Sequence, residues 1–225
     1  MGIFFRKKQK KDRNIKIIRD YFKKNKIRKL NIGCGKILLD DSWLNSDINP
    51  INKKVIFLDA TKSFRFREST FDYIHSEHQI EHLKYKEGIN MIKECFRVLK
   101  PKGKIRISTL DFEKVMALFN KNKTQIQEQY RNWIIKRFLD KDRDEDIFAI
   151  NTLFHEWGHK FLYDYNTLKN ILMKSGFKNI KKYKQGESKN IYLKNIDIHD
   201  ISEENKKMTK FETIAIEAEK PDEED

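Results

Sequence analysis

A strand, a glycine turn, a second strand and a carboxylate, in that order, constrain this chain more than anything else in it. Lys29-Leu30-Asn31-Ile32 reads as an apolar strand running into Gly33-Cys34-Gly35, and Asp47 closes Trp43-Leu44-Asn45-Ser46-Asp47. Glycines let backbone approach a ligand closely, and an acidic group at the next strand end suits ribose hydroxyls. The pair predicts a nucleotide-type cofactor at the carboxyl edge of a parallel sheet.

The rhythm around this unit is α/β. Ile15, Ile18, Tyr21 and Phe22 recur at helical spacing and predict a helix over 13–25. Strands are expected at 28–32, 43–47, 54–58, 71–75 and 104–109, with a helix before the last that stops at the turn signal Lys100-Pro101-Lys102-Gly103. Strands alternating with helices predict a Rossmann-like, doubly wound, mostly parallel sheet of seven strands. Residues 112–150 interrupt it with charged helical sequence. They read as a helical insertion between strand 5 and the last helix, lying over the ligand-binding edge. A helix over 165–175 with Asn166 as its candidate cap, strands at 178–184 and 211–218, and a polar connection over 186–209 complete the reading. The chain divides into a basic arm and helix (1–27), one domain (28–220) and an acidic tail (221–225).

Charge excludes less than its total suggests. The formal net charge is +14, yet residues 1–29 hold thirteen Lys/Arg against two Asp, so +11 sits there and +3 on the other 196 residues. That distribution describes a solvated basic arm on a nearly balanced body. Met1-Gly2-Ile3-Phe4-Phe5-Arg6-Lys7-Lys8 also sets aromatics beside cations, the composition of a peripheral membrane contact, while Arg6 stands where a myristoylation signal needs Ser or Thr. Cys34 and Cys95 lack metal spacing and are expected as reduced thiols in a cytoplasmic protein. No apolar run reaches membrane-spanning length.

Taken together, the pieces resemble a class I S-adenosylmethionine-dependent methyltransferase of the kind called type 11. The resemblance covers most of 28–180. It rests on Leu30 to Gly35, Asp47, Leu58-Asp59-Ala60, Phe71-Asp72-Tyr73-Ile74-His75-Ser76-Glu77-His78-Gln79-Ile80-Glu81-His82-Leu83, Leu99 to Gly103 and Gly176-Phe177. It implies S-adenosyl-L-methionine as cofactor. Gly33, Cys34 and Gly35 would lie against its methionine part, Asp47 would take the ribose hydroxyls, and Asp59 and Ala60 would border the adenine. Ser76, Glu77 and His78 would line the pocket, with Asn31 and Ile48 completing the cofactor-binding set. A sulfonium cofactor has no phosphate to cradle, so two glycines suffice. Leu38, near the place of a third, weakens a dinucleotide reading. One departure stands out: seven residues separate Gly35 from Trp43, and a parallel crossover normally needs about a dozen. The first crossover helix is therefore expected to be absent or reduced to a turn, which leaves the N-terminal helix to cover the gap.

Candidate catalytic residues are His78, His82, Asp111 and His155. His78 and His82 are spaced to act as acid/base or substrate-orienting groups, against the alternative that Glu81 and His82 only fix the loop. Asp111 follows the fifth strand and either faces substrate or caps the next helix. His155, with Trp157, His159 and Tyr163, either stacks on a ring or sugar or packs the insertion. His155-Glu156-Trp157-Gly158-His159 matches the His-Glu-x-x-His zinc pattern and His78 to His82 its inverted form, but Gly158 works against the required helix. In metal-dependent methyltransferases an acid stands where His78 does, and no metal is assigned. The acceptor implied is a small molecule or glycan, methylated on oxygen or nitrogen, with sugars of surface polysaccharides preferred. The basic arm would then meet the inner membrane surface that holds a lipid-linked acceptor. The rivals are an RNA or DNA methyltransferase and a non-catalytic binding module.

Overall fold

Period-2 alternation gives the central strands one apolar and one polar face. The computed structural model describes residues 2–140, 143–199 and 203–222, with side chains from residue 13 onward except 203 and 204. The Met1–Lys8 side chains suggested for membrane contact, and tail residues 223–225, lie outside the described residues. Strands β1 (Lys29–Ile32), β2 (Trp43–Asp47), β3 (Ile56–Phe57), β4 (Phe71–Glu77), β5 (Leu99–Leu110), β6 (Lys178–Tyr183) and β7 (Thr213–Glu219) form one seven-stranded sheet in the order β3-β2-β1-β4-β5-β7-β6. All neighbours are parallel except β7, which runs antiparallel to β5 and β6.

One face carries Leu30, Ile32, Leu44, Ile74, Ile105, Ile107, Ile214 and Ile216, all buried in the main core. Helices α1 (Gly2–Lys24), α2 (Tyr85–Val98) and α6 (Tyr165–Lys174) pack there through Tyr21, Met91, Ile92, Cys95, Leu168 and Ile171. Burying such side chains stabilises by about 1.5–3 kcal/mol each. At the sheet edge, Asn14 on α1 donates to and accepts from the Phe57 backbone at 2.9 and 3.0 Å. Its side-chain amide thus pairs an edge strand that would otherwise stay open.

The opposite face is polar. Asn45, Asn31, His75, Arg106 and Glu217 are direct lateral partners on β2, β1, β4, β5 and β7. No helix joins β1 to β2, as the short connection requires. The gap is covered by a strap, residues 184–199, whose Leu193 and Ile196 pack on Trp43, Tyr73 and Leu39. It is not covered by α1, because the stripe Ile17, Ile18, Tyr21 and Phe22 belongs to the main core.

The insertion forms α3 (Phe112–Met116), α4 (Gln125–Phe138) and α5 (Asp146–His155), gathered around Leu118, Tyr130, Ile134, Ala149 and Leu153. Three sequence expectations change in detail. Part of the polar connection 186–209 is helical, since α7 (Glu203–Glu212) precedes β7 and is the last helix. Asp164, not Asn166, caps α6, accepting from Thr167 N at 2.8 Å. Lys100 to Gly103 make no chain reversal but an irregularity inside β5, with Lys102 at φ 63° and a register shift against Phe71/Tyr73.

Candidate cofactor and acceptor site

The carboxyl ends of β1 and β4 open on a cavity of about 440 Å³, within the range of small-molecule sites. Its walls include Asn31, Gly33, Cys34, Gly35, Glu77 and His78 from the predicted set, together with Lys36, His75, Ile198 and His199.

Local geometry at the strand ends decides whether these residues suit an adenosyl sulfonium. The Gly35 N–H donates to Asp47 Oδ2 at 2.9 Å, so the turn and the carboxylate converge. Asp47 Oδ1 also accepts from Asn49 N at 2.7 Å. A carboxylate has about four acceptor sites, leaving capacity for two ribose hydroxyls. Gly35 sits at φ 54°, and a Cβ built there meets nothing within 4 Å, so the backbone faces open space. Gly33, at φ 72°, is different: a Cβ there would stand 2.1 Å from Gln79 Cγ, so this glycine admits the close packing of the loop after β4. Ile48 is 52% exposed beside Asp47, an apolar surface available to a base. Asp59 Oδ1 is occupied by Thr61 N and Oγ1 at 2.9 and 2.7 Å, and Ala60 is buried next to it. Ser76 Oγ is buried without a hydrogen-bond partner among the described residues. The donor set fits the cofactor.

Cys34 contributes shape and no nucleophile. Burial, with the Asp47 charge adding, pushes its thiol up to about 12. Glu77 is also pushed up by burial, with Asp197 adding, against the lowering effect of His75 and His78.

His78 sits at φ 43°, a sparsely populated conformation for a non-glycine residue. Its Nδ1 lies 3.0 Å from Glu81 Oε1 and its Nε2 2.9 Å from Thr213 Oγ1. Burial works against its charge, but the Glu81 hydrogen bond and the charges of Glu81, Glu212 and Glu77 hold the imidazole up at about 9. Burial would raise Glu81; the bond to His78 and its charge hold that carboxyl down at about 2. A raised histidine stabilises fully below its unfolded value of about 6.5 and loses that contribution as pH climbs through its folded value. Thermal melts should therefore show stability falling between pH 6.5 and about 9, by on the order of 2–3 kcal/mol. Glu81→Gln should flatten that slope; an unchanged slope would refute the ion pair.

The other candidates stand elsewhere. His82 faces His159, ring centroids 4.9 Å apart. Asp111 is buried as the cap of α3, accepting from Glu113 N at 3.2 Å, with Lys182 Nζ at 3.5 Å. His155 is exposed and ends α5, while His159 Nδ1 turns back to the Leu153 carbonyl. The two zinc-pattern histidines thus do not share a helix face. Among the described residues no group of three or more His, Cys, Asp or Glu is placed to hold a metal. His75, Ile198 and His199 are cavity residues that sequence reasoning did not single out. His75 enters the sequence reading only as a member of a strand and of the motif around it, and the strap carries no periodic signal.

Residues 6–182 match the model of a family whose description is a methyltransferase domain. Among solved structures, a SAM-dependent methyltransferase from Archaeoglobus fulgidus is 22% identical, with 92% of this chain and 94% of that chain covered at a TM-score of 0.53. An S-adenosylmethionine-dependent methyltransferase from Mesorhizobium loti is 15% identical, with 86% and 91% covered at 0.48. Haemonchus contortus phosphoethanolamine N-methyltransferase 2, solved with S-adenosyl-L-methionine, is 16% identical over 93% of this chain and 52% of that one, at 0.47. No functionally curated protein matches the chain significantly.

Proposed function

We infer the acceptor and the roles of individual side chains from one premise: this chain belongs to the methyltransferase-domain family and is a SAM-dependent methyltransferase. S-adenosylmethionine supplies an electrophilic methyl group on a cationic sulfur. In our reading Gly33 to Gly35 and Asp47 hold this cofactor, with Ile48, Asp59 and Ala60 along its nucleoside side and Asn31, Ser76 and Glu77 beneath it. The Glu77 wall offers negative potential to a sulfonium.

The acceptor is a small molecule or a glycan, methylated on oxygen or nitrogen. The observation that carries this is the cavity itself. It is a half-open pocket of about 440 Å³ whose lining includes one lysine and no arginine, where a nucleic-acid site would need a basic track. Alignment and exclusion of water supply much of the acceleration of such an in-line transfer. His78, engaged at both nitrogens, serves here as a fixed positive group that orients the loop after β4, while His82, Asp111 and His155 support the insertion side. No helix among the described residues is long and apolar enough to cross a membrane. The basic arm is assigned to peripheral contact with an anionic surface on the cytoplasmic side, near a lipid-linked sugar acceptor.

The test is methyl transfer from labelled S-adenosylmethionine to nucleotide sugars, glycans, small amines and RNA. Turnover is expected on the sugar or small-molecule members, changed less than about twofold by removal of residues 1–12 or by moving from 50 to 200 mM salt. RNA methylation lost over that salt range, by the roughly 10³-fold that several phosphate contacts imply, would decide for the nucleic-acid rival.

A further inference from the structure

In an open α/β sheet, an anionic ligand group commonly meets the glycine turn and the helix that the turn opens. The first N–H groups of that helix point at the ligand, and its dipole favours negative charge. This chain has no helix between β1 and β2, and its turn has few donors to replace one. Gly33 and Cys34 donate their N–H groups to the Ser46 carbonyl at 2.9 and 3.0 Å, and Gly35 to Asp47 Oδ2 at 2.9 Å. Ile37 donates to the Cys34 carbonyl and Leu39 to Asn45 Oδ1, each at 3.1 Å. Backbone that could cradle an anion is bonded instead to its own strand ends.

The strap that fills the gap does not make up the loss. Asp197 latches it to the sheet, accepting from Arg106 Nε at 2.9 Å. Beyond that latch, the N–H groups of Ile198 and His199, both in the cavity wall, go to Glu77 at 2.9 and 3.0 Å. Among the imidazoles of the wall, His75 is held between Asn31 and Asp197 and His78 between Glu81 and Thr213, while the His199 ring stacks on His78. Lys36 stands apart from all of these. It directly follows Gly35, borders the cavity and is exposed, and it makes no ion pair or side-chain hydrogen bond with a described residue.

We propose that Lys36 is the anion-recognising residue of the cofactor site, its ammonium taking the carboxylate of the methionine part in place of the helix terminus that this chain lacks. The inference rests on the methyltransferase reading above. At its methionine end S-adenosylmethionine bears a sulfonium, an ammonium and a carboxylate. Glu77 in the same wall complements the two cations and repels the third group. Lys36 supplies the opposite charge. A lysine is a point charge on a flexible stem, without the fixed fork of an arginine, and can follow a carboxylate that enters and leaves at every turnover. The same ammonium could meet a phosphate or carboxylate on the acceptor. Its place one residue beyond the turn assigned to the methionine part favours the cofactor.

Calorimetry with two probes tests this: S-adenosylhomocysteine, and its decarboxylated analogue, which keeps the adenosyl group, the thioether and the amine. The wild type should prefer S-adenosylhomocysteine by about 10–30-fold, the lower end of what one charge-assisted hydrogen bond contributes. Lys36→Met should bind the analogue as the wild type does but lose that preference, through weaker binding of S-adenosylhomocysteine alone. Lys36→Arg should keep most of it. Raising salt from about 50 to about 500 mM should shrink the wild-type preference, since the pair is open to solvent. A wild type that binds both probes equally tightly would overturn the proposal without recourse to any variant. So would a Lys36→Met protein that binds S-adenosylhomocysteine normally and instead raises KM for an acidic acceptor, which would assign the lysine to the acceptor. A wild type that takes up neither probe would overturn the functional reading and this inference with it.

Discussion

Asp47→Ala should weaken S-adenosylmethionine binding by about 10²–10³-fold in calorimetry, the largest effect expected of any single change at the site. In our assignment the carboxylate has two jobs. It accepts the Gly35 and Asn49 N–H groups at 2.9 and 2.7 Å, which shapes the turn, and it keeps acceptor sites for two ribose hydroxyls. Hydrogen bonds to a charged acceptor contribute about 1.5–3 kcal/mol each, so losing two at the lower end of that range costs roughly 3–4 kcal/mol of binding free energy, which is the expected 10²–10³-fold. The fold should survive, because Asp47 ends a strand rather than filling the core. Asp47→Asn separates the two jobs. It retains an acceptor for one N–H while losing charge toward the ribose, and should fall between wild type and alanine. An alanine variant that binds within a few-fold of wild type would remove the carboxylate from the cofactor site.

That convergence was legible in the sequence because each part follows from local chemistry. Leu30 and Ile32 alternate with polar neighbours, glycines mark the turn, and a parallel sheet brings successive strand ends to one edge. Even the missing crossover helix could be counted from the seven residues between Gly35 and Trp43. What escaped has a physical reason too. Helix α7 presents Asn205, Met208, Thr209 and Glu212 inward at helical spacing, but only one of the four is apolar, so hydrophobic periodicity is blind to it. The turn residues Lys100 to Gly103 suit a bulge as well as a reversal, and only pairing with β4 decides between them. The strap escaped most completely. Leu193 closes the short run Ile191-Tyr192-Leu193 and Ile196 alternates with Ile198, too little pattern for a helix or a strand, and their placement goes with Asp197 finding Arg106, 91 positions away. His199 was hidden with it.

Arg106→Met should be the most destabilising substitution on the polar face, lowering the unfolding free energy by about 3–5 kcal/mol in urea titrations. The sequence shows only an arginine amid the alternating apolar residues of β5, and its cost becomes clear from its neighbours. Arg106 is fully buried, and its removal strands Asp197 and Glu217 without the countercharge that keeps them ionised. Burial alone would raise the Asp197 carboxyl; the hydrogen bonds and charges of Arg106 and His75 hold it well below the usual carboxylate range. Stability carried by a depressed carboxylate is present above its unfolded value of about 3.9 and is lost as pH falls below that. The wild type should therefore resist mild acid at this latch, and Arg106→Met should lose part of its deficit as the stranded carboxylates take up protons below about pH 5. Asp197→Asn alone should cost less than Arg106→Met, since Glu217 still pairs the guanidinium. The two changes should couple in a double-mutant cycle by at least about 1 kcal/mol, as contacting groups do. Strict additivity would mean that the strap and the sheet are not joined through this pair, and the register imposed on residues 184–199 would then have to come from Leu193 and Ile196 alone.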